Sequence, residues 1–220
     1  MLKELEELIQ NNKNPSPYVF DNYHGVRIPE LRKLAKLIAK EKRYDFFNEK
    51  HTCFEEFTIH AFAIGYLKED INYCLKLVKE FIPYIDNWSV NDSLCQNMKF
   101  AKTYQQEVFD FLKEMKDSNN EWEIRVIAVT FLSHFLNDKY IDEVIDILDH
   151  LNRPTYMAKM GIAWAYATIM AKYPEKMYAY LPKSSLDDWT FNKSICKMRE
   201  SFRVKDEDKQ KLVNMRRKKN

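Results

Sequence analysis

The sequence predicts an all-α protein, a curved solenoid of paired antiparallel helices forming one domain over residues 1–220. Three observations carry this. The 220 residues include only 3 Gly, which leaves few positions for the tight primed turns of β-hairpins. No run of alternating β-branched and aromatic residues is bounded by turn signals. Apolar residues recur at helical spacing along most of the chain. The composition, 45% hydrophobic and 31% charged, is that of a globular chain long enough to bury a sizeable core.

The elements follow in order. Residues 2–11 form a short amphipathic helix with Leu2, Leu5, Leu8 and Ile9 on one stripe. The stretch Asn11-Asn12-Lys13-Asn14-Pro15-Ser16-Pro17 breaks it and is the clearest loop in the chain. Tyr18 to His24 leaves room for little more than one helical turn, and Gly25 suits a turn. Pro29 opens the next helix, whose first turn tolerates a missing N–H, with Leu31, Leu34, Ala35, Leu37 and Ile38 inward. Helices are then expected over 54–68, 71–84, 89–101, 103–116, 122–136 and 140–151, from Pro154 to about Lys172, from Pro174, and over 187–202 and 205–217. Short connections make sequential helices antiparallel neighbours. Trp88, Trp122 and Trp164 recur 34 and 42 residues apart, loosely matching the period of HEAT-like repeats. A compact helical bundle shares the periodicity. The number of helices and the lack of a long crossover favour the solenoid.

Charge and special residues narrow the function. The net charge is +2, from 35 basic and 33 acidic residues, so the chain is no polycation, and nucleic-acid binding would need basic residues gathered on one face. The run Arg216-Arg217-Lys218-Lys219, in a basic tail over 215–220, reads as a solvated, frayed end. Cys53, Cys74, Cys95 and Cys196 include no CxxC pair and read as reduced core residues. His24, His51, His60, His134 and His150 form no HExxH-like cluster, so neither a metal nor another cofactor is expected. Met1-Leu2-Lys3-Glu4-Leu5-Glu6-Glu7 is neither a signal nor a transit peptide, and no apolar run approaches membrane-spanning length. The expectation is a cytoplasmic monomer.

Four constellations can carry chemistry. In Asp86-Asn87-Trp88-Ser89-Val90-Asn91-Asp92, Trp88 and Asp92 share a helix face, with Asn87 or Ser89 as N-cap. An aromatic plane beside a carboxylate can hold a cationic or sugar-like group. The plainer reading is a capping segment with one buried Trp and one solvated Asp. Trp122 and Arg125, three apart, can also share a face. In Gly161-Ile162-Ala163-Trp164-Ala165-Tyr166-Ala167, small residues admit a ligand or another helix close to Trp164. Lys193, Lys197, Arg199 and Arg203 make a dense basic helix, the best phosphate-binding candidate in the chain, or else a solvated face.

Taken together, these motifs resemble the AlkD-type DNA alkylation repair proteins, the HEAT-like-repeat alkylpurine DNA glycosylases. The resemblance runs from about Gly25 to Val204. It begins at Gly25-Val26-Arg27-Ile28-Pro29-Glu30-Leu31-Arg32, similar to a family motif G-[IV]-x-x-P-x-x-R. It continues through Trp88-x-x-x-Asp92, Trp122-x-x-Arg125, Gly161 to Trp164, and the basic stretch Lys193 to Arg203. The resemblance implies a monofunctional glycosylase acting on cationic N3- and N7-alkylated purines in duplex DNA, without a cofactor. It implies that Asp92 stabilises charge on the deoxyribose and positions water. It implies that Trp88 and Trp164 cradle the lesion nucleotide, and that Arg125 contacts the backbone around it. A cationic base needs no general acid, so one carboxylate can suffice.

One stretch departs from the family. Members that excise bases carry an extra basic and aromatic helix before the Gly-x-x-x-Pro motif. The corresponding residues, Asn14 to His24 in a shortened N-terminal element over 1–24, contain two Pro and no Lys or Arg. Such an element would lose reach and phosphate attraction. Two alternatives to a glycosylase therefore stand: a divergent member that binds DNA weakly without excision, and a non-catalytic helical-repeat binding module.

Overall fold

A computed structural model of the chain describes residues 2–12 and 22–218. Among them are twelve α-helices, four 3₁₀ turns and no strand. The chain divides into two compact units, Met1–Val108 and Phe109–Asn220.

The first unit holds α1 (Lys3–Asn11), α2 (Ile28–Glu41), α3 (Phe54–Tyr66), α4 (Ile71–Phe81) and α5 (Trp88–Asn97). Its centre is α3, which packs against α2 on one side and α5 on the other. Leu5, Leu31, Ala35, Ile38, Ile59 and Phe62 form its core. Sequence periodicity places one stripe of α3 inward, but the helix is buried on nearly every side, including Glu55, Glu56 and His60. The two glutamates lie in its first turn, where the helix dipole favours negative charge. Glu56 accepts from the backbone N–H (2.8 Å) and the hydroxyl (3.1 Å) of Thr52. Burial alone would raise the Glu56 carboxyl; the Thr52 hydrogen bonds outweigh it and hold the group low.

Gly65 sets the α3–α5 distance. A Cβ at this position would lie 2.1 Å from the Asn97 carbonyl oxygen, so only glycine lets the backbones meet. Asn97 uses the approach: its Nδ2 donates to the Phe62 carbonyl at 3.0 Å. Arg32 of α2 completes the junction. It donates to Asn97 Oδ1 at 3.0 Å, and its guanidinium stacks 4.0 Å over the Phe62 ring. Three helices are thus locked by one amide, one guanidinium and one missing methyl.

The second unit contains α7 (Glu121–His134), α8 (Ile141–His150), α9 (Tyr156–Lys172), α10 (Pro174–Tyr180), α11 (Asp188–Glu200) and α12 (Asp206–Val213). The division between units falls within α6 (Gln105–Glu114). Here α9 is central and packs against α7 and α11. The stacking of every second helix is the packing of a helical-repeat solenoid. Phe109, Phe131, Phe135 and Tyr140 form an aromatic cluster with ring centroids 4.6–5.8 Å apart. Asp149, buried at the end of α8, accepts from Tyr166 Oη (2.8 Å), Ser185 N (2.6 Å) and Ser184 Oγ. Burial works to raise its carboxyl, yet these donors hold it below the ordinary aspartate range.

Helix ends differ from the sequence expectations in physical ways. Pro83 and Pro182 turn the ends of α4 and α10 into 3₁₀ turns, Ile82–Tyr84 and Leu181–Lys183, because proline cannot supply the next α-helical N–H. Pro154 does not open α9: Thr155 caps it, its hydroxyl accepting from Ala158 N, and the helix begins at Tyr156. The 3₁₀ turn Tyr44–Asn48 lies where the sequence suggests no element. The segment 13–21, which includes most of the stretch Asn14 to His24, lies outside the described residues.

Gly65→Ala is expected to destabilise the chain by about 1–3 kcal/mol or more, since a backbone carbonyl must move. Gly161→Ala, which meets Arg125 Cγ at 3.2 Å rather than a backbone carbonyl, is expected to cost less than Gly65→Ala, because a side chain can give and the roughly 1 kcal/mol helix-propensity gain offsets part of the squeeze. Urea midpoints of the two variants check this contrast.

Candidate functional site

The first unit positions Trp88 and Asp92 through the cap of α5. Asn87 Oδ1 accepts from Val90 N at 3.0 Å, so the helix starts at Trp88 and its first turn is fixed. Trp88 and Asp92 are then one turn apart on one face. Trp88 is 48% exposed and Asp92 only 7%, the reverse of the capping-segment expectation of a buried Trp and a solvated Asp. A carboxylate sheltered from water acts on a nearby positive charge with little screening, and the exposed indole offers a face for a cation or a sugar. The far end of α5 is held by the Asn97 junction, so both ends of the helix that carries the pair are anchored.

In the second unit, Arg125 is placed differently from its sequence expectation as a backbone-contacting residue. It is 6% exposed, and its Nη1 donates to the Met157 carbonyl in the first turn of α9 at 3.0 Å. Its side chain also fills the space opposite Gly161. The small residue at 161 therefore admits α7, and Arg125 fastens the start of α9. Trp164, one turn beyond Gly161, is half-buried. Trp122 is half-buried too, in the first turn of α7 capped by Asn120.

The basic stretch Lys193 to Arg203 is not one continuous stripe. Lys193 and Lys197 share a face of α11 and are half-buried; Lys197 pairs with Glu200 at 2.9 Å. Arg199 is exposed near the end of the helix. Arg203 lies beyond it, exposed, and lines a groove of about 480 Å³ with His134, Asn137, Thr168 and Lys172. Phe202, beside Arg203, is fully exposed.

Two features here were not anticipated. Trp189, 42% exposed, makes an edge contact with Tyr156 at 5.7 Å, and Lys159 Nζ lies 5.6 Å over its ring. With Lys193 and Arg216 it lines a cleft of about 730 Å³. The spacing 189–193–197 would have revealed this aromatic-basic face. Within the tail that was expected to fray, Arg217 instead folds back: it exchanges two backbone hydrogen bonds with the Asn192 side chain, both 2.9 Å. Its guanidinium donates to the Ser184 carbonyl (2.6 Å) and to that of Leu186, and stacks 4.1 Å from the Phe191 ring. No spacing rule links Arg217 to carbonyls some thirty residues earlier.

The first unit also contains a cavity of about 640 Å³ lined by Phe47, His51, Phe57, His60, Phe81 and Tyr84 among others. His51 Nε2 and His60 Nδ1 are 2.6 Å apart, so at least one ring is neutral there. Burial, and secondarily His51, pushes His60 down to about 3. As for metal ligands, His24, Cys53 and Glu55 are the one group among the described residues whose donor atoms converge. Burial lifts the Cys53 thiol to about 11, so it is neutral at physiological pH.

Stacked helices, with a sheltered carboxylate beside an exposed tryptophan in the first unit, define a helical-repeat protein. The chain belongs to the DNA alkylation repair enzyme family, whose model matches residues 3–200. No curated protein and no solved structure matches it. No helix among the described residues is long and apolar enough to cross a membrane.

Two outcomes are expected. The folded pKa of His60 lies below the unfolded value of 6.5, so its contribution is fully present above pH 6.5 and is lost as pH falls towards 3. At pH 5 the loss is about 2 kcal/mol. Urea midpoints at pH 7.5 and 5 should show it, with a flatter profile in His60→Gln. Arg217→Ala should cost about 2 kcal/mol, the loss of charged hydrogen bonds to buried carbonyls, seen as a lower Tm and faster proteolysis after residue 200.

Proposed function

We propose that this family member is a monofunctional DNA glycosylase that releases cationic N3- and N7-alkylpurines from duplex DNA. The observation that carries the reading is the pairing on α5 of a nearly buried Asp92 with a half-exposed Trp88. In this reaction the glycosidic bond breaks with its electron pair leaving on the base. The base departs neutral and the positive charge passes to the deoxyribose. Asp92 stabilises that charge and orients the water that adds to the anomeric carbon, with the proton lost to solvent. A preorganised carboxylate in a sheltered site supports such a transition state because it needs no reorganisation as the charge moves. Trp88 contributes a π-face to the same cationic sugar.

The second unit serves DNA contact. Trp164 packs against the lesion strand, and Lys193, Lys197, Arg199 and Arg203 meet phosphates. The buried guanidinium of Arg125 supports a positioning role, through the Met157 carbonyl, for the helix that bears Trp164.

A second reading, a member that binds DNA weakly and does not excise, draws on the absence of Lys and Arg between Asn14 and His24. The engagement of Arg125 and Lys197 within the fold points the same way. Single-turnover assays at excess protein on methylated duplex DNA separate the two. Release of 7-methylguanine or 3-methyladenine is expected, falling by about 10²-fold or more in Asp92→Asn with an unchanged circular dichroism spectrum. Release no faster than the spontaneous rate would leave the second reading standing.

A further inference from the structure

Glu55, the second residue of α3, is completely buried. Its Oε1 accepts from the backbone N–H of His24 at 2.9 Å and of Val26 at 3.2 Å. Gly25, with φ of 80°, turns the chain so that both amides reach the same oxygen, a conformation a side chain would strain. The other oxygen, Oε2, is buried and has no hydrogen-bond partner among the described residues. A carboxylate removed from water with one oxygen unused is strongly disfavoured unless a cation or a donor meets it.

Two further donors stand beside it. A ring nitrogen of His24, Cys53 Sγ and a carboxylate oxygen of Glu55 all lie within 4.8 Å of one another. Cys53 immediately precedes α3 with an extended backbone, and His24 is at the surface. The carbonyl of His24 is itself held by Asn12 Nδ2 at 2.8 Å.

We propose that His24, Cys53 and Glu55 bind one zinc-class divalent cation. One thiolate, formed as the metal displaces the Cys53 proton to solvent, one imidazole and one carboxylate suit zinc, which takes sulfur, nitrogen and oxygen ligands in a tetrahedron. Typical zinc–ligand lengths put tetrahedral donor atoms about 3.5 Å apart, and the three donor atoms, all within 4.8 Å of one another, are close enough to reach that spacing by small side-chain movements. Three protein ligands leave a fourth position for water. The ion meets the orphaned charge of Glu55 and ties the connection before α2 to the start of α3. The site is invisible in sequence, because 29 positions separate His24 from Cys53 and Cys-x-Glu is no metal motif. It is independent of the glycosylase reading.

The test uses the full chain freed of metal with a chelator and titrated with Co²⁺, a spectroscopic substitute for zinc. One equivalent should produce a thiolate-to-cobalt charge-transfer band and tetrahedral d–d bands, and Zn²⁺ should displace them. Cys53→Ser should lose the charge-transfer band. His24→Ala, a surface change that leaves metal-free helicity intact, should weaken Zn²⁺ binding at least 10-fold and abolish the Tm increase that Zn²⁺ gives the unaltered chain. If Cys53→Ser does not fold, the His24→Ala comparison decides. The proposal is overturned by the absence of cobalt bands. A band that persists in Cys53→Ser, which would assign the sulfur to Cys74, Cys95 or Cys196, also overturns it, as does equal Zn²⁺ affinity in His24→Ala.

Discussion

Close approach of helices at two glycines governs how each unit of this chain is built. At Gly65 the backbone of α3 meets the carbonyl of Asn97 with no room for a methyl, and at Gly161 α9 meets the side chain of Arg125. Apolar packing alone does not specify such distances, since leucines and isoleucines can settle at several separations. A glycine facing a polar group can be satisfied in few ways. In the first unit Arg32 then donates to Asn97, Asn97 donates to the Phe62 carbonyl, and the Arg32 guanidinium stacks on the Phe62 ring, contacts that would be lost if the helices slid apart. The placement of α5, and with it Trp88 and Asp92, follows from that junction. The second unit uses a guanidinium in the same role, and its hydrogen bond to Met157 fixes the start of the central helix.

A second regularity concerns acids at helix ends, Glu56 and Asp149 buried and Asp187 half-buried. Glu56, Asp149 and Asp187 are each set at or beside a helix end, and each is held low although burial opposes it. Asp187 caps α11 through Thr190 and meets Lys159 and Arg153. Hydroxyl and backbone N–H donors, helped at Glu56 and Asp187 by a helix N-terminus, let these carboxylates remain charged. The sheltered Asp92 thus sits in a protein that repeatedly keeps acids away from bulk water. Glu55 differs in its hydrogen bonding, because its second oxygen has no donor among the described residues.

Much of the fold was legible in the sequence. The ranges expected for α2 to α9 fall within a few residues of those found, since apolar periodicity and capping residues such as Asn87 and Asn120 act locally. What was hidden depends on distant partners. The all-round burial of α3 cannot be read from a helix with two adjacent glutamates and a histidine. The docking of Arg217 and the convergence of His24 on Cys53 join segments far apart in the chain. The sequence spacing put Trp88 and Asp92 on one helix face, as they stand, while the plainer reading of a buried Trp and a solvated Asp had their exposures inverted. The basic stretch looked continuous because sequence spacing does not show that α11 stops at Glu200.

The fold-back of Arg217 also changes what counts as the last layer. The family match ends at residue 200, yet α12 packs on α11 and Arg217 covers the ring of Phe191, which is buried. In a stack of helices the outermost layer must present a polar outer surface, because an open apolar face invites another molecule to stack on it. The short, charge-rich α12 with its single buried Leu212 has that character. A fragment cut at the family boundary would therefore bare the ring of Phe191 and the face of α11 that α12 covers, an adhesive surface made by the cut itself.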